Sequence, residues 1–307
     1  MSLAARYPMS LTPDGWYQVG YSDEIAAGQV RPVTALGREL VLYRTADGVA
    51  RSALAHCPHQ GAHLGYGGVV EGDTIRCPFH HWRFGADGGC LEIPNAVKVP
   101  PGARLELETL HESDGVLYLR QGATPAPPPP DLALDPEKWV TVRHIRSIRT
   151  HAQDIGENIV DAAHFRHVHG LPHTPQTRVE IEGGVLRSFS TLRQVTPRGT
   201  VDTTIDGVAY GLGIWHLAFR GICDTLVLAC PTPVDGERLD FRLTFHVPRG
   251  TERGVGGAMI DEIMFQADQD IPIWEHKIYR ERPVLSAADA PIAAMRKWSR
   301  QFYAERA

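Results

Sequence analysis

The chain has 307 residues, 43% of them hydrophobic and 22% charged, with a formal net charge of −5 and a pI near 6.3. That length suits two domains and a core that stands without disulfide staples, and the charge excludes the strongly basic surface of a nucleic-acid binder. No apolar run approaches the roughly 20 residues of a membrane helix, MSLAARYPMSLTPDG has no apolar signal region, and five Cys, two of them at metal-like spacing, argue against a secreted disulfide framework; a cytoplasmic protein is expected.

From Trp16 to about Arg120, short strand-like runs such as ELVLYRT and GVLYLR alternate with Gly, Asp and Pro turns, so an all-β domain is expected over residues 14–121. The proline-dense GATPAPPPPDLALDP supports neither helix nor central strand and reads as a stiff linker over 122–136. The remainder, 137–307, forms the second domain. AQDIGENIVDAAHFRHVHG reads as one helix, with Ile155, Ile159, Ala162 and Ala163 at helical spacing and Gly170-Leu171-Pro172 as its stop. VLRSFSTLRQV, GIWHLAFRG, TLVLACPTPV and LDFRLTFHVPR alternate apolar and polar residues, as strands of a curved antiparallel sheet do. The tail from Ile273 onward, including PIAAMRKWSRQFYAE, returns to helix. The fold class is α+β, and no internal repeat is present.

CPHQGAHLGYGGVVEGDTIRCPFHHW carries the densest chemistry. Cys57-x-His59 and Cys77-x2-His80, seventeen residues apart, each present one thiolate and one imidazole from a tight turn. A zinc finger needs its two Cys together and its two His together on a helix. Here each Cys has its own His, which suits a [2Fe-2S] cluster with two Cys on one iron and two His on the other. Along Cys57-Pro58-His59, Gly61-Ala62-His63-Leu64, Gly67-Gly68, Cys77-Pro78-Phe79-His80 and Trp82-Arg83-Phe84 the chain resembles the Rieske family. The resemblance implies that Cys57, His59, Cys77 and His80 hold the cluster, since these stand at the family's spacing and His56, His63 and His81 do not. Cys90, Cys223 and Cys230 lack metal spacing and read as small buried side chains.

An electron carrier needs only the first third of this chain. In GENIVDAAHFRHVHG, Glu157, Asp161 and His164 fall at i, i+4 and i+7, one face of a continuous helix, with His169 near the helix end. Two imidazoles and one carboxylate make the facial triad of non-haem Fe(II) oxygenases. Glu157-Asn158-x2-Asp161-x2-His164-x4-His169 resembles the second signature of Rieske oxygenases, which implies that His164 and His169 bind a mononuclear Fe(II), over the competitors His167 and His173, and that Asn158 and Asp161 belong to the catalytic machinery. Asp161, on the same face, is placed to accept the second ring N–H of His164. The resemblance also implies that it meets a cluster histidine of an adjacent subunit in a homotrimer. For the third ligand, MFQADQDIPIWEHKIYRERP offers Asp268, Asp270 and Glu275; Asp270, just before a helix opened by Pro272, matches the family's carboxylate, and Asp268 is the alternative.

QDIPIWEHKIYRERPVL and DAPIAAMRKWSRQFY are similar to 3-ketosteroid 9α-hydroxylase oxygenase components and cholesterol 7-desaturases. The resemblance implies a helix-grip (START-like) catalytic domain and an oxygenase that uses O2 to hydroxylate or desaturate a hydrophobic polycyclic substrate such as a steroid. O- or N-demethylation and aromatic ring hydroxylation share the same iron chemistry; a Rieske electron carrier is the non-enzymatic alternative. No GxGxxG opens a helix after a strand, so NAD(P)H is expected to act through a separate flavin or iron–sulfur reductase, with or without a ferredoxin.

Overall fold

The structure, a computed structural model, describes residues 1–196 and 199–303. Its contacts divide the chain into Gln18–Arg120 and a second unit made of Met1–Tyr17 with Gln121–Ala307. No helix among the described residues is long and apolar enough to cross a membrane.

The first unit is built from eleven strands: β1 (Gly15–Tyr21, entering from the other unit), β2 (Val30–Ala35), β3 (Arg38–Arg44), β4 (Ala50–Leu54), β5 (Val69–Glu71), β6 (Thr74–Arg76), β7 (Arg83–Phe84), β8 (Cys90–Glu92), β9 (Leu107–Glu108), β10 (Leu110–Ser113) and β11 (Val116–Gln121). They form three small sheets, ordered β1-β11-β10, β2-β3-β4-β9 and β5-β6-β7-β8. The hairpin between β10 and β11 shows why the sequence turns where it does. Ser113 pairs with Val116, and the two residues between, Asp114 and Gly115, both take positive φ (48° and 74°), the conformation that an Asp-Gly type I′ turn requires. Val41, Tyr43, Leu64, Ile75, Phe84 and Leu105 pack into one core that includes Cys57 and Cys77.

The second unit is a seven-stranded sheet with helices against one face. Its strands are β12 (Trp139–Ile148), β13 (Gln176–Glu182), β14 (Val185–Thr196), β15 (Gly199–Tyr210), β16 (Trp215–Arg220), β17 (Thr225–Pro233) and β18 (Leu239–Pro248), ordered β12-β18-β17-β16-β15-β14-β13 and antiparallel throughout. The helices are α1 (Leu3–Arg6), α2 (Ala152–Val160), α3 (Ala163–His167), α4 (Val255–His276) and α5 (Ala290–Ser299). Registers such as Leu217↔Val227 and Ala229↔Leu243 stack apolar residues on one face, where Ile155 of α2, Ile260 and Met264 of α4, and Met295 of α5 cover them. Burying each such side chain contributes about 1.5–3 kcal/mol. At Gly156 a Cβ would come within 2.4 Å of the Met295 methyl, so the missing side chain is what lets α2 and α5 approach.

Several sequence expectations are corrected. The helix drawn through Asp161 is two helices: Asp161 is the C-cap of α2, with extended backbone (φ −77°, ψ 118°), and α3 begins at Ala163. The tail helix begins at Val255, well before Ile273, and Pro272 lies inside it. A helical proline leaves the carbonyl four residues earlier without its donor. Residues 277–286 are not helical; α5 and a 3-10 turn, Arg300–Phe302, follow, and the expected continuation through 304–305 lies outside the described residues. Strands β12, β13 and β15 add to those expected. So does the part played by the first residues: buried Arg6 donates to the carbonyls of Lys277, Arg149 and Trp274, a cation where α4 presents its free carbonyls.

Two buried histidines make this unit acid-sensitive. His151 caps α2, accepting at Nδ1 from the Gln153 N–H (3.0 Å) and donating from Nε2 to the Ser10 carbonyl (2.9 Å), and burial lowers its pKa. Burial, then the neighbouring His216 and Arg143, brings His246 down to about 4. Both stay neutral in the fold and charge in the unfolded chain. Their contribution is complete above the unfolded histidine value, about 6.5, and lost as pH falls toward the folded one. The expected outcome is an unfolding free energy, from denaturant titration, that drops between pH 7 and pH 5. In His246→Gln the drop is smaller by of the order of 2 kcal/mol; equal drops would remove His246 from this account.

Candidate metal centres

In the first unit, two tight loops present Cys57 and His59, and Cys77 and His80, the residues expected to hold the cluster. The loops match each other. Cys57 N–H bonds to the Ala62 carbonyl and Cys77 N–H to that of Trp82, both at 2.9 Å. Four residues after each Cys stands a left-handed residue, Gly61 (φ 74°) and His81 (φ 58°). Both thiols are 2% exposed, and burial pushes that of Cys57 up to about 11, with Cys77 beside it adding to the rise; only a bound metal would make such a buried thiol a thiolate at neutral pH. His59 and His80 lie with ring centroids 4.6 Å apart. His59 stacks on Trp82 (4.4 Å, 10° between planes), and Phe79 lies on His80. Thiols inside and rings outside suit a two-iron cluster with sulfur ligands on the inner iron and imidazoles on the outer one. The neighbouring histidines are otherwise engaged: His63 accepts from the Gly65 N–H and meets His56 edge to face. Cys90 packs beside the same core; Cys223 and Cys230 are buried elsewhere.

In the second unit, among the described residues, one group of His, Cys, Asp and Glu side chains brings three ligand atoms within 4.8 Å of one another, and it is His164, His169 and Asp270. The rings of His164 and His169 stand 4.9 Å apart and nearly perpendicular. His169 Nε2 lies 3.5 Å from Asp270 Oδ2. Asn158 Nδ2 donates to Asp270 Oδ2 (2.9 Å) and lies 3.2 Å from His164 Nε2, so its amide hydrogens supply the positive end that the carboxylate and the ring nitrogen share. The opposite ring nitrogens are taken: His164 Nδ1 donates to the Asp161 carbonyl (2.8 Å) and His169 Nδ1 to Gln269 Oε1 (2.9 Å). Both Nε2 atoms thereby face one region beside a carboxylate, the donor set that a facial-triad Fe(II) would take. Burial lowers the pKa of His164. For His169 burial acts the same way, but the hydrogen bonds to Asp270 and Gln269 outweigh it and the value ends raised.

The other sequence candidates fall away from this point. Glu157 turns to Arg296 of α5 (2.8 Å) and Gln153, not to a face shared with His164. Asp161 serves His164 through its backbone carbonyl, while its carboxylate accepts from the Ala163 N–H (2.8 Å); the expected carboxylate-to-ring bond is corrected. Asp270 is not a cap at a helix start but a mid-helix residue. Asp268 forms a two-point ion pair with Arg146 of β12 (2.8 and 3.0 Å), and Glu275 accepts from the Arg149 N–H. His167 and His173 are exposed. Gln269 opens the segment QDIPIWEHKIYRERPVL, but nothing in the sequence gives it a role at the site.

Two cavities share Asn158, His164 and Asp270 in their walls. One is lined by Ile155, Phe165, Leu217, Phe219, Phe241 and Ile263, with Asn158, His164, His169 and Asp270 at its end; it encloses about 100 Å³ and opens into about 680 Å³ of space that includes its mouth. Gln266, four residues before Asp270, is its one amide beyond Asn158. The other, about 300 Å³, lies against Asn158, His164 and Asp270 with Asp154, Glu157, Asp161 and Lys277 in its walls.

Three-iron content is the test of this geometry. Asp270→Ala is expected to keep the two cluster irons and the visible spectrum but lose the third, whereas Asp268→Ala keeps all three. Iron analysis of both variants decides, and loss of the third iron from Asp268→Ala alone would move the site.

Residues 15–104 match the Rieske [2Fe-2S] domain, and residues 116–303 match the 3-Ketosteroid 9alpha-hydroxylase C-terminal domain. The chain is 31% identical over 322 residues to a probable 3-ketosteroid-9-alpha-monooxygenase, oxygenase component, of Rhodococcus rhodochrous, covering 95% of this chain and 80% of that one. To the cholesterol 7-desaturase nvd of Drosophila melanogaster it is 30% identical over 326 residues, covering 95% and 75%. The fold is similar to that of dicamba monooxygenase bound to dicamba, with a TM-score of 0.75, 18% identity and coverage of 96% and 98%.

Proposed function

Because the chain belongs to the Rieske oxygenases that carry the 3-ketosteroid 9α-hydroxylase C-terminal domain, we propose that it hydroxylates, or desaturates, a steroid or sterol as the oxygenase component of a monooxygenase. The observation that carries this reading is the apolar cavity ending on His164, His169 and Asp270. Its walls offer a large, rigid, apolar substrate few polar anchors, as such pockets do. The enclosed end takes the carbon to be oxidised, the rest of the ring system lies toward the mouth, and Gln266 offers one hydrogen bond there.

The [2Fe-2S] cluster supplies single electrons and the mononuclear Fe(II) activates O2. We assign Cys57, His59, Cys77 and His80 to the cluster within residues 14–121, and His164, His169 and Asp270 to the mononuclear iron within 137–307, the two joined by 122–136. Apolar side chains around the cavity exclude water from the substrate. Asn158 holds Asp270 and His164 in register from α2. Asp161 orients His164 through its carbonyl and leaves a half-exposed carboxylate, which by family resemblance faces a cluster histidine of an adjacent subunit in a homotrimer. Electrons come from a separate reductase or ferredoxin, in the cytoplasm.

Cluster and iron sites are separable on this reading. His59→Ala or Cys77→Ala is expected to abolish the visible cluster absorption while one Fe(II) per chain still binds; a normal cluster spectrum in either variant would overturn the ligand assignment. Asp161→Asn keeps a side-chain oxygen to accept from the Ala163 N–H and removes the charge. Both metals should remain while single-turnover product yield falls by at least tenfold; an unchanged yield removes the bridge.

The substrate is tested by incubating the protein with a surrogate reductase, NADH and a mixed library of steroids, arenes and methyl ethers. Oxidised or desaturated steroid supports the proposal. Product from methyl ethers or arenes alone replaces it with demethylation or ring hydroxylation. About two irons per chain and no product would mean an electron carrier.

A further inference from the structure

The two imidazoles of the mononuclear site are not held alike. His164 leans on a backbone carbonyl, which no side-chain substitution removes, whereas His169 leans on the side chain of Gln269 (2.9 Å). Gln269 stands between two residues with fixed tasks. Successive residues of a helix point about 100° apart, and here the three diverge: Asp268 grips Arg146 of β12, Gln269 reaches His169, and Asp270 turns to the site with its side chain 7% exposed. The His169 side chain is 2% exposed, so its Nδ1–H has no solvent to turn to if the amide oxygen is taken away. A buried donor left without an acceptor is costly, and the ring answers by turning or by moving its proton to Nε2, the atom that faces Asp270.

We propose that Gln269 is the positioning residue of the mononuclear iron: its amide oxygen fixes the Nδ1–H tautomer and the ring plane of His169 and thereby sets how tightly the metal is held. The inference rests on the assignment of iron to His164, His169 and Asp270. Gln269 touches neither substrate nor metal; it acts through His169. Among side chains that could replace it, Glu keeps an oxygen in reach and makes the imidazole a stronger donor, whereas Leu fills similar space and accepts nothing. Outer partners of this kind typically account for 10–100-fold in metal affinity.

The experiment measures apparent Fe(II) affinity of cluster-intact full-length protein by chelator competition, following cluster absorbance and thermal midpoint in the same samples. Gln269→Leu is expected to bind Fe(II) 10–100-fold more weakly with the cluster spectrum unchanged, and Gln269→Glu to match or exceed the wild type. Wild-type affinity in the Leu variant overturns the proposal, as does equal weakening in both, which would mark packing and not hydrogen bonding. Asp270→Ala in the same assay keeps the two questions apart. If it retains Fe(II), the site itself has been misread; if it loses Fe(II) while Gln269→Leu does not, only the role of Gln269 falls.

Discussion

A buried carboxylate, with the Asp270 side chain 7% exposed, is the constraint around which the second unit is arranged. Burying an ionised carboxyl is expensive unless its surroundings answer it, and Asp270 is answered by the Asn158 amide and would be answered by a metal held between it and the His169 ring. Each answer has its own anchor. Asn158 sits on α2, whose start is capped by a buried histidine. α4 is held to the sheet by Asp268 with Arg146 and at its C-terminal end by Arg6. An ion pair such as Asp268 with Arg146, partly exposed, adds little stability by itself; its value is that it fixes the rotation of the helix from which Asp270 projects.

The first unit meets the opposite demand. The residues assigned to its cluster belong to two short loops, and their placement is set by local turns. The thiols are part of the hydrophobic core while His59 is exposed. An electron centre needs an insulated body and an accessible edge, and the alternation of Cys and His along each loop delivers both. The left-handed residue after each ligand pair is satisfied once by Gly61, at no steric cost, and once by His81, where an L side chain carries strain.

Legibility followed distance along the chain. The two cluster loops could be expected because each Cys has its His within two or three residues and tight-turn residues around it, and the strands over VLRSFSTLRQV and LDFRLTFHVPR because period-two alternation is local. His164 and His169 were legible for the same reason. The break at Asp161 was not, since Asp161-Ala162-Ala163 contains nothing a helix rejects; what ends α2 is the bond from the Ala163 N–H to the Asp161 side chain, a choice between two acceptable local states. Pro272 misled in the other direction. Proline at the first turn is the commoner use, but packing of Ile260, Met264 and Trp274 against the sheet carries α4 past it. The role of Gln269 was invisible because an amide announces no chemistry until its neighbour in space is known.

The position of the triad in the chain has a consequence for how the protein comes into being. Every strand from β13 to β18 lies between His169 and Asp270 in sequence, so the three ligand atoms meet only after six strands have found their register. Contacts of such long separation form late, since loop closure must be offset before they return anything. A chain with one strand slipped has all the ligands and no site. Gathering His164, His169 and Asp270 around one point is therefore a property of the completed topology and not of any local segment.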